Sequence, residues 1–218
     1  AADDPITIMN PGTGVWIRKQ VNQTTPMYVP DEGVDANLFP AARFVVEARN
    51  NSVSRASYLR VTDSPGCLDT APVTDCETPA TAADAVADPF DTSIDWLTRN
   101  EGNNPFDRFT LTNIDVVASA PSEIDLDASI VWLLRYNAGV YTTEQTTVTA
   151  AHALPANALT DVVGVSVTYQ GTNPSVTGGT ISSTNTLQLV LDVRARTHLR
   201  SSGAVQDLVA NQTVQVPN

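Results

Sequence analysis

The chain alternates between apolar and polar positions over short stretches. In "VWIRKQV" (15–21), Val15, Ile17, Lys19 and Val21 share one parity, and Trp16, Arg18 and Gln20 share the other. Successive side chains of a β-strand point to opposite faces, so this pattern predicts a strand with one apolar side. Alternation or β-branched content predicts further strands in "ARFVVEAR" (42–49), "SYLRVTD" (57–63), "FTLTNIDVV" (109–117) and "SIVWLLRY" (129–136). The same holds for "EQTTVTA" (144–150), "VVGVSVTY" (162–169), "TLQLVLDVRA" (186–195) and "QTVQV" (212–216). Turn-forming stretches such as "NPGTG", "PDEG", "RNNS", "DSPG", "NAG", "QGTNP" and "TGG" separate them. No helical run of crossover length alternates with these segments. The expected class is all-β, an antiparallel sandwich of about nine or ten strands.

Residues 66–108 break the pattern and are rich in Ala, Pro, Asp and Asn. Within them "DTSIDWLTRN" (91–100) reads as a short helix with Ile94, Trp96 and Leu97 partly buried. The whole stretch reads as a long insertion into one domain spanning 1–218. The alternative is two domains with a boundary inside 66–108. Only three or four strands precede the insertion, too few for a sandwich of their own. Cys67 and Cys76 lie in "GCLDTAPVTDCE". A disulfide closing this small loop would tie the insertion down and implies an oxidising compartment. The competing reading is two free thiols in a cytosolic protein. Zinc is disfavoured, because His152 and His198 are the only histidines and there is no second cysteine pair.

Charge narrows the partners. The chain carries 24 acids against 12 bases, a formal net charge of −12. Such a surface repels phosphate backbones, so nucleic acid is not an expected partner. The longest apolar run, "IVWLL" (130–134), falls far short of the roughly 18 residues that span a bilayer, so no direct membrane contact is expected. The opening "AADDPITIMN" has no basic segment followed by an apolar one; a secretion signal would have to lie outside this stretch.

No enzyme is expected. The two histidines stand alone, and no G-x-S-x-G, H-E-x-x-H or phosphate-binding glycine loop is present. No cofactor is expected beyond calcium. "SEIDLDAS" (122–129) sets Glu123, Asp125 and Asp127 in register, a hard-oxygen set that suits calcium. The competing reading is a solvated acidic turn, since the glycine turn and terminal glutamate of a dedicated calcium loop are missing. Trp16 and Tyr58 point away from the apolar sides of their strands, and Trp132 alternates with Ile130 and Leu134 and reads as core.

Lys19 is the only lysine, and its parity turns it toward the apolar face. "WIRKQVNQTTPMYVPDEG" (16–33) and "AARFVVEARNNSVSRASYLRVTDSPG" (41–66), with "VANQTVQVPN" (209–218), resemble the Ig-like repeat domain found in tandem in large bacterial surface proteins. The later segments "FDRFTLTNIDVV", "DVVGVSVTYQG" and "TLQLVLDVRART" are similar to repeats of actinobacterial surface proteins, and the wider class includes collagen-adhesin-type and pilin domains. The resemblance covers both ends and fails across 66–108. It implies an Ig-like stalk or repeat domain of an extracellular surface protein or adhesin, attached to the cell through regions outside this stretch. Neighbouring repeats of the same chain would be its partners, with a host protein or glycan as ligand. The alternative is a calcium-assisted adhesin module that binds carbohydrate or protein.

Some domains of this class join a lysine amine to an Asn or Asp side chain by an isopeptide bond. The amine must be neutral, a nearby carboxylic acid must polarise the carbonyl, and the groups must meet away from water. The resemblance nominates Lys19 with Asn211, or else with Asp63 or Asn50, and Glu47 or Asp63 as assisting acid. Asn211 lies on the strand expected beside Lys19, but its parity opposes Val214 and Val216. Asp63 shares parity with Leu59 and Val61, and Asn50 with Phe44, Val46 and Ala48. Glu47 has the parity of Arg43 and Arg49, which turns it toward solvent. The competing readings are a lysine stem lying along apolar surface with its ammonium in water, or an ordinary ion pair with Asp63.

Overall fold

The computed structural model describes residues 6–8, 15–22, 27–28, 35, 38–52, 54–64, 69–70, 73–74, 81–97, 105–119, 122–174, 179–196 and 213–214. The fold is all-β and is built on two antiparallel sheets. The four-stranded sheet runs β2 (Val15–Val21), β4 (Ala41–Asn50), β12 (Leu187–Ala195), β8 (Phe109–Ala118). The five-stranded sheet runs β1 (Ile6–Ile8), β5 (Tyr58–Asp63), β11 (Val162–Gly171), β9 (Ile124–Asn137), β10 (Val140–Thr147). Two short ladders stand apart: β3 (Met27–Tyr28) with β13 (Thr213–Val214), and β6 (Asp69–Thr70) with β7 (Val73–Thr74).

The four-stranded sheet obeys parity. In β4, Ala42, Phe44, Val46, Ala48 and Asn50 are buried, while Ala41, Arg43 and Arg49 are exposed. In β2, Val15, Ile17, Lys19 and Val21 are half-buried and the residues between them exposed. The inward rows of both sheets merge into one apolar cluster. Phe44 and Phe109 meet edge to face inside it, ring centroids 6.1 Å apart. Opposite them stand Leu59 and Val61 of β5, Val131 and Leu133 of β9, and Val165 and Val167 of β11.

Two strands of the five-stranded sheet, β5 and β11, break parity, because the sheet's outer face is also covered there. In β5 every residue from Leu59 to Asp63 is buried, and in β11 every residue from Val162 to Tyr169. Residues 81–97 lie across that face as a strap. Helix α1 (Ala82–Val86) is started by a capping box, in which Thr81 Oγ1 accepts from Asp84 N while the Asp84 carboxylate accepts from Thr81 N. Arg60, buried on the outer face, donates to the carbonyls of Asp84, Ala85 and Ala87 at 3.1, 2.5 and 2.6 Å and to Thr168 Oγ1 at 3.1 Å. Trp132 Nε1 donates to Val86 O at 3.2 Å. A Cβ on Gly164 would stand 3.4 Å from the Phe90 ring, so the strap rests directly on the strand there.

Two expectations change here. Trp132 is not between the sheets; with Leu134 it faces the strap, and Val131 and Leu133 take the inter-sheet positions. Residues 91–97 form turns rather than a helix. Asp91 Oδ1 accepts from both Ser93 N and Ser93 Oγ, and Trp96 Nε1 reaches back to Asp91 O, which satisfies the polar groups without helical bonds. Trp96 and Leu97 are fully buried, with Phe90 edge to face on Trp96. Helix α2 (Val148–His152), following β10 directly where the alternation of "EQTTVTA" suggests continued strand, packs against β8 of one sheet and β9 of the other and buries Ala151. Among the described residues of the insertion, Phe90, Trp96, Leu97 and Phe106 belong to the same core as the sheets.

Candidate functional site

Lys19 projects from edge strand β2 into the space between the sheets, where it meets Asp63 at the end of β5. Nζ lies 2.8 Å from Asp63 Oδ1, with the lysine side chain 8% and the aspartate 3% exposed. The two residues sit on different sheets, so the contact joins the layers directly. Nζ also stands 5.4 Å from the centre of the Phe44 ring, whose face attracts a cation. The neighbouring Ser64 hydroxyl is buried with no partner. Val46 opposes Lys19 on β4, and Val165 opposes Asp63 on β11, so the pair is framed by apolar neighbours. Taking two charges out of water is costly, and removing Lys19 would leave the Asp63 carboxylate buried without this counter-charge.

The remaining residues nominated from the sequence lie elsewhere. Glu47 stands on the other face of β4, opposite Arg18, and is separated from Lys19 by the sheet. It is nevertheless buried rather than solvent-facing, because Arg49, Arg18 and Gln188 close over it at 2.7, 3.5 and 3.1 Å. Burial would raise its pKa, but the bonds from Gln188 and Arg49 overcome this and hold it below its ordinary value. Glu47 therefore cannot assist at Lys19. Asn50 faces inward as its parity requires, but it opposes Val15, four residues along the strand from the position opposite Lys19, about 13 Å away at 3.3 Å per residue. Its amide holds loops instead: Nδ2 donates to Ser54 O and Ile181 O at 2.7 and 2.9 Å, and Oδ1 accepts from Ser52 N. Asn211 lies outside the described residues. The strand that follows it, β13, pairs with β3 rather than with β2. Asp63 is the nominated residue that the fold brings to Lys19.

The acidic set of 123–127 is not gathered around a common point. Glu123 is spent on the turn at 182–185: its carboxylate accepts from Ser182 Oγ at 2.6 Å and Asn185 Nδ2 at 2.5 Å. Those bonds, Ser182 first, hold its pKa below the ordinary value. Asp125 Oδ1 accepts from Ala128 N at 3.0 Å, and Asp127 is exposed. Among the described residues no group of three His, Cys, Asp or Glu side chains could hold a metal ion. His152 lies beside Ile114 O and Asp115 on the surface. Cys67 and Cys76 lie outside the described residues.

A second feature had no signal in the sequence. Thr92, Ser93, Ile94 and Asp95 of the strap and Tyr136, Gly139, Val140 and Tyr141 of the β9–β10 hairpin line a cleft of about 310 Å³. Tyr141 Oη donates to Asp95 Oδ1 at 2.7 Å and accepts from Leu97 N at 2.9 Å. Burial and the adjacent carboxylate push the Tyr141 phenol well above its ordinary pKa, so it remains protonated. No family model matches this chain, and neither a curated protein nor a solved structure matches it.

Proposed function

We propose that this chain is a structural domain of an extracellular bacterial surface protein or adhesin, giving length and resistance to pulling and proteolysis. The observation that carries this reading is the buried Lys19–Asp63 contact, which couples the edge strand of one sheet to an inner strand of the other. Force that pulls the sheets apart must break this contact in a site from which water is largely excluded. The all-β sandwich and the resemblance of both end segments to Ig-like repeats support the same reading. The burial of Phe90, Trp96, Leu97 and Phe106 of the insertion in the common core supports one elaborated domain.

In this reading Lys19 and Asp63 are the partners of the crosslink. Attack of the neutral amine on the Asp63 carboxylic acid carbon forms a C–N bond, breaks the C–OH bond and releases one water; with Asp63 consumed and Glu47 across the sheet, neither acid nominated as helper serves this step. The short β6–β7 ladder supports the disulfide: Asp69 pairs with Thr74, and Cys67 and Cys76 lie two residues before and two after that pair. That disulfide would imply an oxidising compartment, which agrees with an extracellular location.

Intact mass under denaturing conditions tests the crosslink. The expected mass is one water below the sequence value, after allowance for the two hydrogens lost to a disulfide, and the deficit disappears in Lys19→Met. A full mass leaves the contact as a buried ion pair and removes the covalent reading. Pulling on single molecules tests the mechanical role: Lys19→Met should unfold at clearly lower force than wild type, and equal forces would overturn it.

A further inference from the structure

We propose that the free edge of β10 pairs with the β10 edge of a second copy of this chain, antiparallel and with Thr143 on the two-fold axis. A sheet edge carries unpaired N–H and C=O groups and invites pairing unless the fold blunts it. The other edges of the two sheets are blunted. β1 is only three residues long. β2 turns Lys19 inward and exposes Arg18. β8 is packed by α2, and His152 Nδ1 lies 3.2 Å from Ile114 O. β10 has none of these devices. It contains no Lys, Arg, Pro or Gly, and it pairs with β9 over eight consecutive positions without a bulge.

The hairpin decides which groups face outward. Asn137 and Val140 flank the turn residues Ala138 and Gly139, whose φ angles of +50° and +85° suit a two-residue turn of type I′. In such a turn Val140 N–H donates to Asn137 O, and along an antiparallel pair the bonded residues alternate. Val140, Thr142, Glu144 and Thr146 therefore bond to β9. Tyr141, Thr143 and Gln145 direct their N–H and C=O groups to the open side. Among the described residues, no backbone group outside the sheet bonds to these three. The edge is also reachable, since Val140 is 60% accessible and Thr142, Glu144 and Gln145 are exposed.

The strand is complementary to itself. Pairing centred on Thr143 sets Tyr141 of each copy opposite Gln145 of the other, so every outward group finds a partner. It also sets Glu144 opposite Thr142 of the second copy rather than opposite another Glu144. Glu144 is the only charged residue of the strand, and Arg135 on β9 already lies 2.8 Å from it. The repulsion that remains is diffuse: each chain carries −12, and Asp88 and Asp95 of the strap accept from the Thr143 and Tyr141 hydroxyls. Salt screens such repulsion, so pairing should strengthen as salt is added.

This inference goes beyond the mechanical reading and does not depend on the state of Lys19. Sedimentation equilibrium from about 10 μM to about 1 mM, the range suited to a small interface, should show monomer passing to dimer. The dimer should be more populated in about 0.5 M salt than in about 0.05 M. Amide exchange followed by NMR reads the register. The Tyr141, Thr143 and Gln145 amides should exchange at least about threefold more slowly at the high protein concentration, while those of Thr142 and Glu144 are protected at both. Gln145→Pro removes an outward N–H at an edge position where proline is tolerated, and it should weaken the dimer at least about tenfold. A protein that stays monomeric at about 1 mM in both salts would overturn the inference. So would a dimer that leaves the three outward amides unprotected, or one that Gln145→Pro forms as readily as wild type. The exchange data on wild type decide the matter by themselves should that variant not fold.

Discussion

Single side chains decide most of what is specific to this fold. Lys19 was legible as an inward lysine from parity alone, and Asp63 as an inward acid on another strand. That they meet was not legible, because contact between strands of different sheets depends on how the layers stack, which period-2 patterns do not encode. Glu47 shows the converse. Its parity correctly puts it on the outer face, yet Arg18, Arg49 and Gln188 bury it there. If the Lys19–Asp63 pair remains ionic, Lys19→Met should destabilise by about 3 to 5 kcal/mol, the cost of stranding the buried Asp63 charge. The double variant Lys19→Met/Asp63→Leu should recover a large part of that loss. Urea denaturation of wild type, Lys19→Met, Asp63→Leu and the double variant gives both numbers, and full additivity of the single variants would show that the two side chains are not coupled. Tyr169 offers the opposite sign. Its ring is fully buried and its hydroxyl has no partner, with burial pushing the phenol far above its ordinary pKa. Tyr169→Phe removes an unsatisfied polar atom and keeps the ring, so it should stabilise by about 1 kcal/mol. A loss of stability in the same denaturation assay would show that the hydroxyl has a water partner.

At the scale of elements, the long strands of both sheets were readable, β5, β9, β10 and β11 among them, but the inward face was legible only where the other face meets solvent; in β5 and β11 both faces are buried and parity gives no direction. The strap that covers them has no periodicity of its own: Thr81 and Asp84 start a short helix, and Arg60 gathers the carbonyls at its end. Burial holds the Arg60 guanidinium below its ordinary pKa, with the charges of Asp88 and Asp84 opposing that shift. Arg60→Met should free three carbonyls and weaken the strap by about 2 to 4 kcal/mol. Hydrogen exchange should then show faster exchange over 82–97, while β4 and β12 keep their protection. Uniform acceleration across both sheets would mean that the strap and sandwich unfold as one unit. The β9–β10 hairpin contains a further misfit. Its turn residues Ala138 and Gly139 both have positive φ, +50° and +85°. Such two-residue turns favour Asn or Gly at the first position, and alanine is strained there. Ala138→Gly should raise stability by about 1 kcal/mol, less the greater freedom glycine gives the unfolded chain. A melting temperature at or below wild type would count against a strained turn.

For the molecule as a whole, acidity acts in two opposing ways. The charge of −12 repels itself at neutral pH, so mild acidification or added salt should stabilise the fold. Against this, several carboxylates are used as acceptors between elements. Glu123 joins the start of β9 to the turn at 182–185, and Asp192 on β12 accepts from Arg43 on β4 at 2.6 Å. Glu123 is held below its ordinary pKa by Ser182 and Asn185, and Asp192 by Arg43. A carboxyl whose folded pKa is depressed contributes stability above its unfolded pKa and loses it as pH falls through the folded value. The loss therefore begins in the ordinary carboxylate range, roughly pH 4 to 4.5, and continues below it. Stability should be greatest in weak acid and should fall steeply under more acidic conditions. Glu123→Gln isolates one contribution. At neutral pH the variant should be less stable by on the order of 1 to 2 kcal/mol, because its acceptor is no longer charged. In strong acid the wild-type Glu123 is itself neutral, so the two stabilities should converge. Urea midpoints measured at neutral pH and near pH 3 would show this. A gap that stays constant across that interval would mean that Glu123 acts through its shape and packing, and that the acid sensitivity of the fold originates in other carboxylates.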